Sequence, residues 1–453
     1  MTSNSSTAQH AEGDNDLVER KIPFDSRRIE KIFQIAVEIL REGSVCDRCL
    51  GRAFSKLLHG LSNEQRGKIV RDALALMIET GYKPNLDMNN FQSYRFRKLK
   101  IATTPKTLCI YCNNIFNELI PATISEGLAK SRNYEFNNFL VGTKLNKELY
   151  VKDTLLSQIS PEYSESIKDE INRTVGKEIE RAYQKTVEHQ DPELFLLIDL
   201  QKKEVEMRSK NIFIYGGYIK LARGIPQTTW HCKSCRGKGC KKCKWTGRLY
   251  RTSVQQIIGK PVLQQFKSSS TNFHGAGRED VDVRCLDYRP FIIEIVNPKK
   301  RAIDLQKLKE KINKSSSVQV SELRFASKDD IAHIKDARND KIYHALVTFK
   351  RKVEDNDLSK LASLKGITIE QKTPLRVVYR RADIVRERII KNIEFQKIEE
   401  KKVDLKIECN AGTYVKEFIN GDSSRTSPSV AEVLNNKVRE IVLDVIKIIK
   451  GEN

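Results

Sequence analysis

The sequence lacks any hydrophobic run long enough to cross a membrane. Its longest apolar stretches are of the size of Leu194–Ile198, whereas a transmembrane helix needs roughly 20 residues. The beginning of the chain also lacks the charged, apolar and small-residue pattern of a secretion signal. Residues 1–20 begin with a stretch rich in Ser, Thr, Asn and Asp and are predicted to form a disordered tail. We therefore expect a soluble, cytoplasmic protein.

Acidic residues are few compared with basic ones. The 453 residues include 59 Asp or Glu and 81 Lys or Arg, which gives a net charge of +22. Such an excess favours a polyanionic partner, most often nucleic acid, although a solvated basic surface would give the same count. With 39% hydrophobic and 31% charged residues, the chain is neither collagen-like nor wholly disordered.

Cysteines are numerous, and their spacing is regular. Eight of the ten form four Cys-x-x-Cys pairs, and the two sulfurs of such a pair fit adjacent corners of a zinc tetrahedron. A redox role would need a single pair at the start of a helix, which four pairs fit poorly. We therefore predict two zinc sites. Their ligands are Cys46, Cys49, Cys109 and Cys112 in the first, and Cys232, Cys235, Cys240 and Cys243 in the second.

The two predicted sites differ in how far apart in the sequence their cysteine pairs lie. The first ties two distant segments of the chain together, whereas the second lies within a short basic segment with interleaved glycines, here called the knuckle (residues 232–247). Thiolates fill all four positions of each site, so both are expected to be structural rather than catalytic. The knuckle is also expected to touch phosphate. The remaining Cys285 and Cys409 are predicted to be buried as small hydrophobic residues.

The hydrophobic pattern predicts the fold class. Helical periodicity occurs within residues 26–80 and 164–189, and strand patterns begin around 192–223. Downstream, predicted strands such as 318–325 and 376–379 are separated by only a few helices. This order indicates an α+β fold with a mixed, mostly antiparallel sheet and flanking helices. The predicted parts are the tail (1–20), an N-terminal α+β domain (21–225) and a C-terminal domain that begins with the knuckle (226–453).

Charged residues are concentrated in the segment Phe273–Arg284, which also contains glycines that permit close approach to a ligand. In an extended chain, Asp280 and Asp282 would share a face about 7 Å apart. That separation suits two carboxylates acting on a glycosidic bond. Alternatively, the acidic residues form ordinary ion pairs with Arg278 and Arg284. The spacing alone leaves both interpretations open.

A family resemblance is found in this same segment. Residues Gly277–Arg284 (GREDVDVR), followed by Arg289–Phe291 (RPF), resemble the signature of the pseudouridine synthases, specifically the archaeal-type tRNA enzymes that act on the T arm. Two further motifs of that superfamily match in the same order, Lys341–Ala345 (KIYHA) and Gly412–Lys416 (GTYVK). The resemblance extends from about residue 44 to residue 449 and includes the cysteine pairs.

The resemblance implies an isomerase that converts uridine to pseudouridine in the tRNA T loop, at positions 54 and 55. It assigns catalysis to three residues. Asp280 attacks C1′ or removes the 2′ proton, Tyr343 stacks on the flipped uracil, and Lys416 keeps Asp280 ionised through charge pairing. The reaction has no redox change and no external group, so no organic cofactor is implied.

RNA contacts are expected on both sides of the predicted boundary. The resemblance implies an N-terminal THUMP-type region that grips the tRNA, where the sequence offers Lys220 and Arg223 as contacts. Arg278 is expected to fill the space left by the flipped base or to hold a phosphate. Basic side chains of the C-terminal domain are further candidates, namely Arg376, Arg380 and Arg381. No membrane and no obligate protein partner is expected.

Two other functions remain compatible with these residues. The chain could be a zinc-stapled RNA-binding protein in which the cluster around Asp280 is only structural. It could also be a base glycosylase that uses Asp280 and Asp282 to hydrolyse the glycosidic bond. Release of free uracil would identify the glycosylase, and RNA binding without a change in the base would identify the binding protein.

Overall fold

The structure, a computed structural model, describes residues 26–102, 105 and 107–449, without the side chains of Ser26 and Arg380. The predicted tail lies outside these residues. The chain divides into two compact units. Unit 1 comprises the described residues within Met1–Ser125, Gly142–Lys177 and Ile198–Glu204, and unit 2 comprises those within Glu126–Val141, Glu178–Leu197 and Val205–Asn453.

The longer helices follow the apolar periodicity, and several helices begin at side-chain caps. At the start of α3, Ser62 Oγ accepts from the Gln65 N–H while Gln65 Oε1 accepts from the Ser62 N–H, which forms a capping box. The helices predicted within residues 26–80 and 164–189 are confirmed. The described residues contain α1 (Ser26–Arg41), α2 (Asp47–Arg52), α3 (Asn63–Glu79), α4 (Leu119–Ser131), α5 (Lys147–Ile159), α6 (Ile167–Tyr183), α7 (Val254–Phe266), α8 (Leu305–Asn313), α9 (Asp330–Asp336), α10 (Asp355–Ser359), α11 (Val415–Asn420) and α12 (Val430–Val433).

The strands form two sheets. The smaller sheet has the order β2–β1–β3–β4. The strands in the described residues are β1 (Asn138–Lys144), β2 (Thr186–Val187), β3 (Leu194–Asp199), β4 (Glu204–Ser209), β5 (Ile212–Lys220), β6 (Ser270–Gly275), β7 (Arg284–Val296), β8 (Val318–Val320), β9 (Arg324–Ala326), β10 (Asp340–Phe349), β11 (Ile367–Lys372), β12 (Val385–Glu399), β13 (Lys402–Cys409), β14 (Thr426–Ser427) and β15 (Val438–Ile449).

The larger sheet lies in unit 2 and carries the family motifs. Its order is β14–β11–β12–β13–β10–β15–β7–β5–β8, with β6 also paired to β7 and β9 to β5. The pairing of β15 with β7 is parallel, and the pairings of β10 with β13 and β15 are antiparallel. Alternate side chains of β10, such as Ala345 and Val347, are buried against Leu405 and Ile407 of β13. The predicted α+β class with a mixed, mostly antiparallel sheet is confirmed.

Some strand predictions need correction. Residues 376–379 are not a strand, because the Val377 and Val378 N–H groups donate back to the Pro374 carbonyl and form a turn instead. The predicted strand 318–325 is divided into β8 and β9, and Ser321 Oγ between them accepts from the Gly217 N–H.

Strand β12 was not indicated by the sequence pattern, and strand β5, which was indicated, pairs across the predicted domain boundary. Strand β12 has no clear alternation of apolar residues to reveal it, because nearly half of its residues are charged and most of its side chains are exposed or half-buried. Strand β5 precedes the boundary predicted at residue 225, yet it pairs with β7 in the larger sheet. Separately, no helix in the described part of the chain is long and apolar enough to cross a bilayer.

Candidate active site and cysteine clusters

Asp280 lies on the loop that joins β6 to β7. Gly277 enters this loop with a φ of +74°, in the left-handed region that favours glycine. The Val283 N–H then donates to the Asp280 carbonyl at 3.1 Å, which closes a tight turn. The expectation of an extended chain from Asp280 to Asp282 is therefore wrong. The turn nevertheless brings both carboxylates to one cation, Lys416.

Two cations flank the Asp280 carboxylate. Arg376 Nη1 donates to Asp280 Oδ1 at 2.9 Å, and Lys416 Nζ lies 3.6 Å from Asp280 Oδ2. The guanidinium of Arg376 is held from its other side by the buried Glu417, to which Nε donates at 2.6 Å. This Arg–carboxylate arrangement is charge-assisted and fixes the position of the guanidinium. Asp280 is thus an anion placed between two positive groups.

Lys416 pairs more closely with Asp282 than with Asp280. Its Nζ donates to both Asp282 oxygens at 2.7 Å. Burial acts to raise the pKa of Asp282, but the hydrogen bond and charge of Lys416 outweigh it and hold that pKa below its usual range. Lys416 is therefore shared by the two carboxylates, and the hydrogen bond to Asp280 comes from Arg376.

The three residues assigned to catalysis line one cavity of about 280 Å³, together with Arg278, Arg376 and Arg381. Tyr343 reaches it from β10, whose neighbours in the sheet are β13 and β15. Burial raises the pKa of Tyr343, so its phenol is neutral at physiological pH. Apolar side chains, among them Val283, Val377 and Val445, complete the lining. The cavity thus offers the ring of Tyr343, the carboxylate of Asp280 and several cations, and Tyr414 and Glu279 also line it.

Beneath the loop lies a buried ionic network. Arg289 and Lys220 both approach Glu279, with N···O distances of 3.0 and 3.7 Å, and the Tyr218 hydroxyl donates to the same carboxylate at 3.0 Å. Because an unpaired buried charge is costly, such a network holds its members in one arrangement. Glu279 therefore belongs to the support of the loop, while the adjacent Asp280 faces the cavity.

Lys220 lies in this support and not on the surface. Its side chain has no exposed area, and its ammonium donates to the carbonyls of Ile225 and Asp280 at 3.0 Å and of Val281 at 3.3 Å. Burial lowers its pKa. The expected RNA contact is not available to a buried ammonium, so the geometry gives Lys220 a positioning role under the catalytic loop.

The other expected RNA contacts have varied positions. Arg223 is also partly structural, because it donates to the Asp282 and Leu443 carbonyls and to Asp444. Arg278 is exposed at the cavity, and Arg381 donates to the Tyr414 hydroxyl at 2.7 Å. The side chain of Arg380 lies outside the described residues. Two roles in the site were not predicted from the sequence, the orienting role of Glu417 and the pairing of the buried Glu279 with Arg289 and Lys220, since only tertiary packing reveals these partners.

The first cysteine cluster lies in unit 1. The four sulfurs of Cys46, Cys49, Cys109 and Cys112 lie within 4.8 Å of one another, and Cys46 Sγ is 3.7 Å from Cys112 Sγ. A zinc–sulfur bond of about 2.3 Å in a tetrahedron requires sulfurs about 3.8 Å apart. All four cysteines are free thiols rather than disulfides. The donor set and spacing therefore fit zinc.

The second cluster, in the knuckle of unit 2, has similar geometry. Its closest sulfur pairs are 3.7 to 3.9 Å apart, and all four lie within 4.8 Å. Burial would raise the pKa of Cys243, but the N–H groups of Cys240 and Gly247 lower it to about 6, which favours the thiolate that a metal requires. Gly247 has a φ of +69°, and a Cβ there would lie 2.2 Å from the Gly237 carbonyl oxygen, so glycine is needed to close the knuckle.

Comparison with known proteins gives a consistent family. The family model described as Pus10, C-terminal, matches residues 213–449, and the archaeal Pus10 THUMP domain model matches residues 125–199. The protein named tRNA pseudouridine synthase Pus10 of Methanothrix thermoacetophila is 36% identical over 94% of this chain and 96% of its own. The protein of the same name from Methanocaldococcus jannaschii is 39% identical over 91% of this chain and 94% of its own.

A solved structure, described as a Cbf5-Nop10-Gar1 complex, contains a chain 15% identical to this one, with a TM-score of 0.29 over 52% of this chain and 50% of its own. The matches to the two curated relatives, in contrast, extend over more than nine tenths of this chain. They make the chain a pseudouridine synthase, which is an isomerase. Within that class it belongs to the Pus10 family.

Proposed function

We propose that this chain isomerises uridine to pseudouridine in the T loop of tRNA, at positions 54 and 55, with Asp280, Tyr343 and Lys416 as its catalytic residues. The observation that carries the proposal is the shared cavity. Three separate motifs, on the β6–β7 loop, on β10 and at α11, bring a carboxylate, an aromatic ring and a cation to one place. The two curated relatives described above are named as tRNA enzymes.

The substrate uridine must leave its stack to reach Asp280. Flipping a nucleotide costs a few kcal/mol, which contacts in the cavity must offset. Stacking of the uracil on Tyr343 supplies one such contact, and the exposed Arg278 at the rim is placed to hold a phosphate or to fill the vacated space. Arg381, which also lines the cavity, is a second candidate for phosphate contact.

The chemistry conserves every non-hydrogen atom of the uracil. The N1–C1′ bond breaks, the base turns, a C5–C1′ bond forms, the C5 hydrogen leaves as a proton and N1 gains one. Asp280 either attacks C1′ to form a glycosyl ester or removes the 2′ proton to form a glycal. In both routes an ionised carboxylate is needed, and the cations of Arg376 and Lys416 pair with the Asp280 carboxylate at 2.9 and 3.6 Å. Arg376 is therefore a positioning residue that the sequence had suggested only as an RNA contact.

The alternatives receive less support from the geometry. A glycosylase that needs both carboxylates would use Asp282, but this group is neutralised by two hydrogen bonds from Lys416 and is largely exposed. A purely structural cluster would not explain why Asp280 faces a cavity beside Tyr343 while Glu279 alone is buried in the supporting network.

The remaining parts of the proposal concern RNA grip and metal. Residues 125–199 match the archaeal THUMP model, and we assign this region, within the N-terminal domain 21–225, to holding the tRNA body. Each four-cysteine cluster would hold one zinc ion, which supplies a structural cross-link and no catalytic function. The reaction needs no organic cofactor. We place the enzyme in the cytoplasm, with tRNA as its partner.

The test uses an unmodified tRNA transcript with tritium at C5 of uridine. Wild type should release tritium into water, because the new bond displaces that hydrogen. Asp280→Asn should lower the release rate by at least about 10³-fold while tRNA binding is retained. The matched control Asp282→Asn should stay within about tenfold of wild type, because an exposed ion pair contributes only about 1 kcal/mol.

Two results would contradict the proposal. Wild-type protein that is folded and binds tRNA but releases no tritium would leave an RNA-binding protein. Release of free uracil, lost equally in Asp280→Asn and Asp282→Asn, would identify a glycosylase. Sequencing of the modified positions in the product would further show whether position 54, position 55 or both react.

A further inference from the structure

The knuckle lies in a segment without acidic residues. Between Glu206 and Glu279 the sequence contains no Asp or Glu and fifteen Lys or Arg. The cations of the knuckle itself are all exposed, and none pairs with a carboxylate in the part of the chain that the structure describes. They are Lys233, Arg236, Lys238, Lys241, Lys242 and Lys244. Folding therefore leaves this positive charge available to an anionic partner.

A tryptophan stands among these cations in solvent. Trp245 is 72% exposed, although tryptophan is among the residues that gain most from burial. The only other tryptophan of the chain, Trp230, packs edge-on against Tyr250 with ring centroids 5.6 Å apart. Exposure of Trp245 is thus a property of this position and not of the residue type in this protein.

The backbone of the knuckle presents Trp245 in a fixed way. Trp245 has a φ of +61° and the preceding Lys244 a φ of +51°, a left-handed conformation that is unusual for bulky residues. The Trp245 N–H donates to the Cys240 carbonyl at 2.9 Å, inside the four-cysteine loop. Strained positions of this kind persist where the surrounding structure over-determines them, and they cluster at functional sites.

The knuckle is also tied to the catalytic loop. Its ends are joined by the Cys232 N–H donating to the Gly247 carbonyl at 2.8 Å. Five residues before Cys232, the side-chain amide of Gln227 donates to the Gly277 carbonyl at 2.9 Å, next to Asp280 in the signature. Five extended residues span at most about 18 Å. An RNA strand bound at the cavity therefore lies within a few nucleotides of the knuckle.

A second basic surface begins beside the knuckle. A cavity of about 730 Å³ between α7 and α8 is lined by Arg248, Lys260, Lys311 and Lys314, and no acidic side chain lines it among the described residues. Glutamine, threonine and serine side chains supply the rest of its polar lining. Such a lining suits a phosphate backbone better than a basic or apolar partner.

We infer that Trp245 stacks on an unpaired base of the RNA substrate while the cations of the knuckle hold the adjoining phosphates. An aromatic platform among cations is the arrangement by which proteins hold single-stranded nucleic acid. The inference rests on the proposed function, since it takes the RNA of that reaction as the ligand. It assigns the knuckle a direct binding role in addition to metal-based folding.

The experiment uses the tryptophan fluorescence of the whole protein. In Trp230→Phe, Trp245 is the only tryptophan, and its emission should be quenched on titration with unmodified tRNA transcript. In the matched variant Trp245→Phe, the remaining Trp230 should respond little. Stacking on one base accounts for about a tenfold change in affinity, so Trp245→Ala should bind the transcript about tenfold more weakly, and Trp245→Phe should lie close to wild type.

A stem-loop RNA and a blunt duplex of equal length separate stacking from charge. Quenching by the stem-loop and not by the duplex is expected, and equal quenching by both would overturn stacking. Unchanged Trp245 emission at saturating tRNA, or Trp245→Ala binding as tightly as wild type, would overturn the inference and leave the exposed ring for a protein partner. Tritium release measured in parallel keeps the two proposals distinct, because wild type could isomerise uridine while Trp245 stays silent, or the reverse.

Discussion

The cysteine cluster of unit 1 is mostly buried, whereas that of unit 2 is mostly half-buried, although both have the same four thiol donors. Around the first, a fully buried Arg52 lies with Nη2 at 3.8 Å from Cys49 Sγ and is itself paired with Asp153 at 2.5 Å and with Glu170 at 3.9 Å. Around the second, the cations are in solvent and lack carboxylate partners in the described chain.

The difference shows how surroundings decide what one ligand set does. Four thiolates around a divalent zinc carry a net charge of −2, and burying that charge is costly unless a cation accompanies it. Arg52 meets this need in unit 1, and its carboxylate partners keep it in place. In the knuckle the charge is solvated, so the neighbouring lysines are free to bind another anion. We therefore regard the first cluster as a staple of the fold and the second as a support for a binding surface.

The largest contrast is expected from removing one ligand in each cluster. Cys49→Ser should cost unit 1 more than about 4 kcal/mol of unfolding free energy, because metal binding and folding are coupled there. Cys235→Ser should lose one zinc but leave the sheet of unit 2 folded. Metal analysis and hydrogen exchange, read at α1–α3 and at β7, measure both effects. If both variants lost hydrogen-exchange protection equally, the two clusters would contribute equally to the stability of their units.

A second, smaller contrast concerns the arginines beside the clusters. Arg52→Met leaves the buried Asp153 without its cation and Glu170 with Arg48 alone, 3.3 Å away, and should destabilise unit 1 by about 3–5 kcal/mol. Arg236→Met, on the exposed knuckle, should change stability by at most about 0.5 kcal/mol. Denaturant titrations of both variants give the comparison. If the two substitutions cost the same, charge compensation does not explain the position of Arg52.

A third effect depends on pH and concerns Glu170. Burial raises the pKa of Glu170 from its ordinary 4.5, despite the nearby Arg52 and Arg48. The folded state therefore binds more protons than the unfolded state above pH 4.5, and stability must fall as pH rises through the folded pKa. Between pH 4.5 and the raised pKa of the folded state, wild type should lose unfolding free energy relative to Glu170→Gln. Above that pKa the difference in unfolding free energy should stay constant. Metal release at low pH affects both proteins and therefore cancels in the difference between their unfolding free energies. A difference that does not change with pH would contradict the prediction.

The smallest effect on stability is expected at the surface of the knuckle. Lys241→Ala should leave the unfolding free energy within about 0.5 kcal/mol of wild type. The same substitution should reduce the slope of log affinity for tRNA against log salt by about 1, if the ammonium contacts a phosphate. Binding measured at several salt concentrations tests this. An unchanged slope would place Lys241 outside the RNA interface.

The sequence predicted those parts of the site that short sequence motifs identify. The fold class is confirmed, and the motifs around Asp280, Tyr343 and Lys416 do line one cavity. The four cysteine pairs also assemble as two clusters in the predicted combination. Each of these features depends on residue types at fixed spacing, which can be read directly from the amino-acid sequence. The catalytic roles themselves stay predictions that the isotope experiment tests.

What the sequence could not show is the choice of partner made by long charged side chains. Arg376 was expected on RNA and instead hydrogen-bonds Asp280, because a turn rather than a strand carries it to the cavity. Lys416 was expected on Asp280 and lies closer to Asp282. Arginine and lysine reach several ångströms in many directions, so their partners depend on tertiary packing that no spacing rule encodes.

The burial of Lys220 has a practical consequence for following the catalytic loop in solution. Amine-acylating reagents attack only solvated, uncharged amines, so the many surface lysines label first and Lys220, with its ammonium bound to three carbonyls, stays unlabelled. It becomes reactive only when the turn around Asp280 lifts away from β5. The acylation rate of Lys220, measured by mass spectrometry, therefore reports how often the loop opens. Bound RNA that holds the turn in place will lower this rate.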